Sequence, residues 1–142
     1  MSFKELKDRI KKNEGYSDKP YQDQLGFYTI GYGHLITEKE NKYYIKKFKK
    51  KHFEELFELD FKIAHKQYKK KFFKKDHTIS EKELLIEMLF QLGAKGVSKF
   101  KKMLYFLNKK QKFMASLEMI DSLWYLQTPE RVNNLIKYYT KR

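Results

Sequence analysis

Two carboxylates and a hydroxyl near the start of the chain have the side-chain types that hydrolysis of a glycosidic bond requires. Glu14, Asp23 and Thr29 follow the pattern Glu-x8-Asp-x5-Thr. This reaction uses an acid that protonates the leaving oxygen, a negatively charged partner and a group that holds water. The three residues are therefore the candidate catalytic residues.

A helix positions the first of them. Leu6, Ile10 and Glu14 recur four residues apart, so Glu14 extends the apolar stripe of an amphipathic helix that Ser2 and Glu5 would open as a capping box. A carboxyl facing the protein is biased toward its protonated form, which a general acid needs. The alternative is an ordinary helix-terminal Glu before a glycine stop.

Short strands position the other two. Gln24-Leu25-Gly26 is typical of a turn between residues 21–23 and 27–30, which would put Asp23 beside the turn and Thr29 on a strand. Gly31 and Gly33 lie on either side of Tyr32. Because glycine has no side chain, they would either expose one face of the strand to a ligand or allow neighbouring residues to pack closely.

The rest of the pattern is helical. Apolar spacing predicts a long helix over about 52–72 after a charge-rich segment from about 36 to 51. A very apolar helix should begin with Ser80 and Glu83 as its capping box and end at Gly93. Three more helices are predicted, at residues 100–107, at residues 112–123 and after Thr128-Pro129.

Asp60 falls on the apolar stripe of the long helix, where a carboxylate needs a partner. His34 is the natural candidate, and the alternative is an ordinary exposed Asp. Trp124 and Tyr125 could stack on sugar rings, but their position before a capped helix favours the core.

Composition bounds the function. The net charge of +14 would suit nucleic acid, yet only three of the 32 basic residues are Arg, which disfavours sequence-specific DNA recognition. A coding bias that also enriches Phe, Tyr and Ile could produce the lysines, and attraction to anionic cell-wall polymers is the other interpretation. With no cysteine and no ligand spacing among four histidines, we expect no metal and no cofactor.

The N-terminus, Met1 to Leu6, is polar and has no apolar run of signal-peptide length. We therefore expect synthesis in the cytoplasm of a bacterial host, without stable membrane insertion. A substrate beyond the membrane would then require release by another component.

Three blocks of sequence carry a family resemblance. The Glu-x8-Asp-x5-Thr pattern with Gly-x-Gly-His at 31–34, the block at 88–97 and the block at 122–131 occur in this order. Together they resemble the T4-type phage lysozymes (glycoside hydrolase family 24). The resemblance implies a mostly helical α+β fold with two lobes. A small β-hairpin lobe, about 14–51, would be joined by the helix of about 52–72 to a helical lobe of about 78–142 plus the N-terminal helix 2–13.

The resemblance also implies the chemistry. The enzyme would be a muramidase that cleaves the β-1,4 bond between N-acetylmuramic acid and N-acetylglucosamine in peptidoglycan. Glu14 would be the general acid, Asp23 the stabilising charge or the activator of water, and Thr29 the holder of water. The family inverts the anomeric carbon, for which the two carboxyls stand roughly 6.5–9.5 Å apart.

Supporting residues follow by position in the family. Arg131 would pair with the catalytic Glu, and His34 and Asp60 match a buried ion pair. The residues expected to bind substrate are Tyr32, Leu35, Gln91 and Glu118. The interval between His34 and Asp60 is shorter than in the T4 enzyme, so the small lobe should be trimmed.

The expected protein is a cofactor-free monomer of phage or prophage origin that acts on the cell wall, either as an endolysin released through a holin pore or as part of a virion. The alternative is a catalytically weak basic protein on the same scaffold that binds cell wall or nucleic acid. A third possibility is direct membrane damage by cationic helices.

Overall fold

A computed structural model describes residues 3–141 of the chain. Within that range it contains three short strands, eight α-helices and one π-helical turn, and it confirms the mostly helical α+β class. In chain order the elements are α1 (Lys4–Glu14), β1 (Ser17–Gln22), β2 (Tyr28–Gly31), β3 (His34–Leu35), α2 (Lys42–Ile45), α3 (Lys50–Gln67), the π-helical turn (Tyr68–Phe72), α4 (Ile79–Ser98), α5 (Lys101–Asn108), α6 (Lys112–Ile120), α7 (Leu123–Gln127) and α8 (Pro129–Thr140).

The chain divides into two compact units. The N-terminal unit is Met1–Lys62 and the C-terminal unit is Ile63–Arg142, so the boundary falls within α3. By this division α1 belongs to the N-terminal unit. Within residues 3–141 no helix is long and apolar enough to cross a membrane.

The N-terminal unit is built on an antiparallel sheet in the order β1-β2-β3. Thr29 stands opposite Tyr21 on one side and Leu35 on the other, and the β1–β2 register is irregular between Ser17 and Tyr21. A cluster of Ile30, Tyr43 and Phe53 forms the core behind the sheet. Thr29, on the central strand β2, is only 3% exposed.

Helix α1 ends at Glu14 because Gly15 follows in the left-handed region, with φ 74°, and its N–H still donates to the Lys11 carbonyl. Leu6 and Ile10 on its stripe are fully buried. Ser2, which was predicted to open this helix with Glu5, lies outside the described residues. Phe3 stands at the N-cap position.

Helix α4 begins two residues earlier than predicted, so its assignment to a Ser80–Glu83 box was wrong. Thr78 accepts a hydrogen bond from the Glu81 N–H at 3.2 Å, and Glu81 Oε1 accepts one from the Thr78 N–H at 2.8 Å. Thr78 with Glu81 and Ser80 with Glu83 both have the spacing of a capping box. The Glu81 side chain, however, is buried and accepts a hydrogen bond from Lys110 Nζ at 2.6 Å. A tertiary contact therefore decides between two equivalent local signals.

The predicted stop at Gly93 is a kink. Gly93 has φ 74° and ψ 168°, but helical structure resumes and continues to Ser98. The helix predicted over 112–123 ends at Ile120, and α7 is a separate short helix that Ser122 caps by accepting the Tyr125 N–H. Pro129 opens α8 as predicted, although the Thr128 hydroxyl donates to the Trp124 carbonyl instead of capping α8.

Candidate active site

Glu14 lies where α1 ends, against the turn between β2 and β3. A Cβ built on Gly33 would collide with Glu14 Oε1 and would stand only 2.7 Å from Glu14 Cδ and 3.1 Å from Cγ. The Glu14 side chain is therefore half-buried, and its carboxyl occupies space that any residue larger than glycine at position 33 would fill. Gly33 also has φ 75°, which other residues adopt with strain.

Asp23 organises the turn that follows β1. Its Oδ1 accepts the backbone N–H groups of Leu25 and Phe27, both at 2.9 Å. The Asp23 backbone closes the same loop, because its N–H donates to the Phe27 carbonyl at 2.8 Å and its carbonyl accepts from Gly26 at 3.0 Å. One carboxylate oxygen thus fixes the orientation of the group relative to the strand ends.

Thr29 is held in place from its own sheet. Its hydroxyl donates to the Tyr21 carbonyl at 3.3 Å. With the proton committed there, the oxygen lone pairs are what Thr29 can offer to a water molecule. Glu14, Asp23 and Thr29 all belong to the N-terminal unit. Their catalytic roles, and the separation of roughly 6.5–9.5 Å between the two carboxyls that inversion needs, stay predictions.

Tyr32, expected to bind substrate, has its hydroxyl engaged by protein. Tyr32 OH donates to Glu54 Oε1 at 2.7 Å, and Lys11 Nζ donates to Glu54 Oε2 at 2.7 Å. The hydrogen bonds from Lys11 and from Tyr32 lower the pKa of Glu54. Burial, followed by the bond to Glu54, raises the pKa of Tyr32 to about 12. A protonated phenol and an ionised carboxylate are therefore the stable pairing at neutral pH.

His34 bridges two carboxylates. Its Nδ1 lies 2.8 Å from Asp60 Oδ2, and its Nε2 lies 3.0 Å from both carboxylate oxygens of Glu40. Burial lowers the pKa of His34, but the hydrogen bonds and charges of Asp60 and then Glu40 raise it by more, so the net pKa lies above its usual value. The sequence pointed to Asp60 but missed Glu40, which also accepts the Thr37 N–H at 2.9 Å.

Two of the predicted substrate-binding residues lie in the C-terminal unit. Gln91 Oε1 accepts a hydrogen bond from the Trp124 indole N–H at 3.0 Å, which leaves the amide NH2 of Gln91 as its donor group. Trp124 is 5% exposed and packs edge-on against Phe100, as predicted for a core residue. Glu118 is half-buried on α6, and Leu35, in the N-terminal unit, is exposed on β3.

Arg131 forms an ion pair that the sequence analysis missed. Its Nε and Nη2 approach Glu87 Oε2 at 3.3 and 3.2 Å, and the two side chains are 9% and 2% exposed. Glu87 stands among buried Leu84, Met88 and Leu89, so it was detectable as a carboxylate on an apolar stripe. The pairing of Arg131 with Glu14 stays a prediction. No cluster of three or more potential metal ligands occurs in residues 3–141.

A small sheet and many helices, with one carboxylate ending a helix and a second on a hairpin turn, define the architecture of a candidate glycoside hydrolase. The family model for phage lysozyme matches residues 11–137, and the chain belongs to that family. A "Probable T4-type lysozyme 2" of Dictyostelium discoideum is 34% identical over 94% of this chain and 92% of that protein. A "Probable T4-type lysozyme 1" of the same organism is also 34% identical, over 92% of this chain and 91% of that protein.

These relationships support a lysozyme, hence a glycoside hydrolase, and the family implies peptidoglycan as substrate. The shared family covers both units of the chain, because the matched residues run through nearly the whole sequence. The roles of individual residues go beyond what family membership establishes.

Proposed function

We propose that this protein hydrolyses the β-1,4 bond between N-acetylmuramic acid and N-acetylglucosamine with inversion at the anomeric carbon. The observation that carries the proposal is the placement of Glu14, whose carboxyl is seated against Gly33 in the unit that also holds Asp23 and Thr29. A half-buried carboxyl turns less freely than an exposed one and can present its proton in a preferred direction, as general acid catalysis requires.

In the proposed reaction Glu14 transfers its proton to the glycosidic oxygen as the bond from that oxygen to the anomeric carbon breaks. A water that donates a hydrogen bond to Thr29 Oγ1 attacks the anomeric carbon from the opposite face. The carboxylate of Asp23 stabilises the positive charge that develops on the sugar and accepts the proton released by the water. Proton exchange with solvent then returns Glu14 and Asp23 to their starting states.

The decisive experiment is clearing of a suspension of purified cell walls by the wild type and by Glu14→Gln. We expect the variant to be at least about a hundredfold slower, because it keeps the shape of the side chain but cannot act as an acid. Glu55→Gln is the matched control, since Glu55 is an exposed residue of the same unit and its substitution changes the charge identically. Equal rates for Glu14→Gln and wild type would refute the enzymatic proposal.

Product analysis tests the reaction type. Hydrolysis generates a reducing end at each cleavage, whereas lytic transglycosylation leaves an anhydro sugar. Inversion is read from the anomer first formed on a soluble oligosaccharide. An anhydro product would replace hydrolysis with transglycosylation, and retention of configuration would overturn the role proposed for the water on Thr29.

The basic surface favours a second property, attraction to anionic wall polymers, because the net charge is +14. If the protein is instead a catalytically weak protein that binds cell wall, Glu14→Gln should still bind walls, and the wild type should clear them no faster than the variant. Host-cell lysis, phage origin and holin-dependent or virion-associated release remain part of the proposal. Holin-dependent lysis is tested by expressing the protein with and without a holin and following lysis, and virion association by assaying purified virions for wall clearing.

A further inference from the structure

The Gly31-Tyr32-Gly33 turn comprises the last residue of β2 and the two residues that lead to β3, and it contacts both α3 and Glu14 at the end of α1. A Cβ on Gly31 would stand 2.9–3.2 Å from side-chain atoms of Phe53, so this glycine lets the strand end approach α3 closely. Gly33 leaves the space that the Glu14 carboxyl fills. Both glycines have positive φ, 67° and 75°, so the turn depends on them for its path as well as for its contacts.

Tyr32, between the two glycines, is hydrogen-bonded to Glu54, which is also paired with Lys11. Glu54 accepts hydrogen bonds from Tyr32 OH and from Lys11 Nζ, both at 2.7 Å, and it directly follows Phe53 on α3. Lys11 Nζ also lies 5.2 Å from the centre of the Tyr32 ring, and the Tyr16 ring packs on Tyr32 at 4.9 Å. Lys11 is on α1, three residues before Glu14, so the Tyr32–Glu54–Lys11 cluster joins the turn to the helix that carries the candidate acid.

We propose that the Gly31-Tyr32-Gly33 turn, anchored by Glu54 and Lys11, is a positioning device for the Glu14 carboxyl. Gly33 supplies the space, and the Tyr32–Glu54–Lys11 cluster keeps the turn and α1 at a fixed separation. Tyr32 is thereby a positioning residue instead of the substrate contact expected from the sequence. The catalytic part of this inference rests on the proposed muramidase function, whereas the coupling between Gly33 and Glu14 does not.

The first experiment measures that coupling without any assay of activity. Gly33→Ala is made in the wild type and in a Glu14→Ala background, and the four proteins are unfolded with urea. In the wild type the new methyl meets the Glu14 carboxyl, whereas in Glu14→Ala the atoms it would strike are gone. We expect the loss of stability from Gly33→Ala to shrink clearly in the Glu14→Ala background. Equal losses in the two backgrounds would overturn the seating of Glu14 on Gly33.

Gly93→Ala is the matched control for backbone strain. Gly93 has φ 74°, within one degree of Gly33, but nothing lies within 4 Å of a Cβ built there. Its substitution should therefore cost backbone strain without a side-chain collision, and it should cost the same in the wild type and in the Glu14→Ala background.

The second experiment asks whether the turn acts on catalysis. Gly33→Ala should lower kcat by about 10- to 100-fold, as expected for a misplaced catalytic group, with KM little changed. Tyr32→Phe removes only the hydroxyl and should lower kcat severalfold, again with KM little changed. Tyr44→Phe, at an exposed tyrosine of the same unit, is the control and should match the wild type.

The kinetic outcomes separate the two roles of Tyr32. A rise in KM with unchanged kcat in Tyr32→Phe would return Tyr32 to the substrate-binding residues and overturn its positioning role. An inactive wild type would instead defeat the muramidase proposal, while the unfolding experiment would still decide whether Glu14 is seated on Gly33.

Discussion

The two units treat their charged side chains differently. In the N-terminal unit the paired groups are partly exposed, with Lys11 and Glu54 at 26% and 39% and His34 and Asp60 at 14% and 21%. In the C-terminal unit two paired carboxylates are buried, Glu81 at 1% beside Lys110 and Glu87 at 2% beside Arg131, whereas Asp76, a second partner of Lys110, is 68% exposed. Water can therefore replace a lost partner in the first unit much better than in the second.

This difference in exposure agrees with different roles for the charged groups of the two units. The candidate acid Glu14 lies in the unit whose charged pairs are partly exposed to water. A general acid must exchange its proton with solvent between reactions, and such an environment permits that exchange. The two buried carboxylates both lie on α4, and they join that helix to Lys110, which follows α5, and to Arg131 on α8. Substitutions that remove one member of a pair should consequently have very different effects in the two units.

The largest expected contrast comes from removing one cation from each unit. Arg131→Leu leaves the Glu87 carboxylate buried without its guanidinium and should lower the free energy of unfolding by about 3–5 kcal/mol. Lys11→Leu leaves the partly exposed Glu54 and should cost about 1 kcal/mol or less. Urea denaturation followed by circular dichroism measures both. Similar losses of stability in the two variants would contradict the difference between the units. The double variant Arg131→Leu with Glu87→Leu should recover much of the stability lost in Arg131→Leu, because no charge is then left buried without its partner.

A smaller effect is expected at the start of α4. Thr78→Ala removes the side-chain oxygen that accepts the Glu81 N–H and should cost about 1 kcal/mol. Ser80→Ala, at the position first predicted to be the cap, removes the 3.1 Å hydrogen bond between the Ser80 and Thr78 hydroxyls but leaves the Thr78 cap in place, and it should cost much less. Thermal unfolding of the two single variants decides between them. A larger loss from Ser80→Ala would show that the cap lies where the sequence pattern first put it.

The smallest expected effect is a pH dependence confined to the N-terminal unit. The pKa of His34 is raised in the folded protein, so its contribution to stability is complete below the unfolded value of about 6.5 and is lost as pH rises through the folded value. The pKa of Glu40 is lowered, mainly by hydrogen bonds from Thr37 and His34 that outweigh its burial, so its contribution is lost only in acid. This network should therefore stabilise most between about pH 5 and pH 6.5.

Asp60→Asn tests that dependence. The wild type should lose about 1 kcal/mol or less between pH 6 and pH 9 from this source, as befits a partly exposed network. The variant keeps a hydrogen-bonding side chain but removes the charge that holds the His34 proton, so its loss over the same range should be smaller. Unfolding in urea at several pH values provides the comparison. Parallel pH profiles would assign the dependence to other groups.

Local patterns predicted the parts of this fold that depend on nearby residues. The stripe through Leu6 and Ile10 put Glu14 at the end of a helix, and Gly15 ended that helix as expected. The turn after Asp23 followed from Gln24-Leu25-Gly26. These features need only the spacing of apolar residues and the conformational freedom of glycine.

Features that depend on distant residues were missed or misplaced. Thr78 with Glu81 and Ser80 with Glu83 are equivalent local signals, and the contact with Lys110, 29 residues away from Glu81, separates them. Glu87, like Asp60, lies on an apolar stripe, but its partner Arg131 is 44 residues away along the chain and no local pattern identifies it. The sequence alone could not predict whether the Tyr32 hydroxyl contacts a sugar or Glu54, because only the folded structure shows that α3 lies beside the turn.

The π-helical turn at Tyr68–Phe72 has a consequence for the evolution of chain length. The Phe73 N–H donates to the Tyr68 carbonyl, five residues back, so this turn accommodates one residue more than an α-helical turn would. Tyr68, at its start, is buried and bonded to His77, whereas Lys69, Lys70 and Lys71 are exposed. Loss of one of these lysines would convert the turn to ordinary α-helix while sparing the buried tyrosine. We expect homologous chains to differ by single-residue insertions and deletions here more readily than elsewhere along α3.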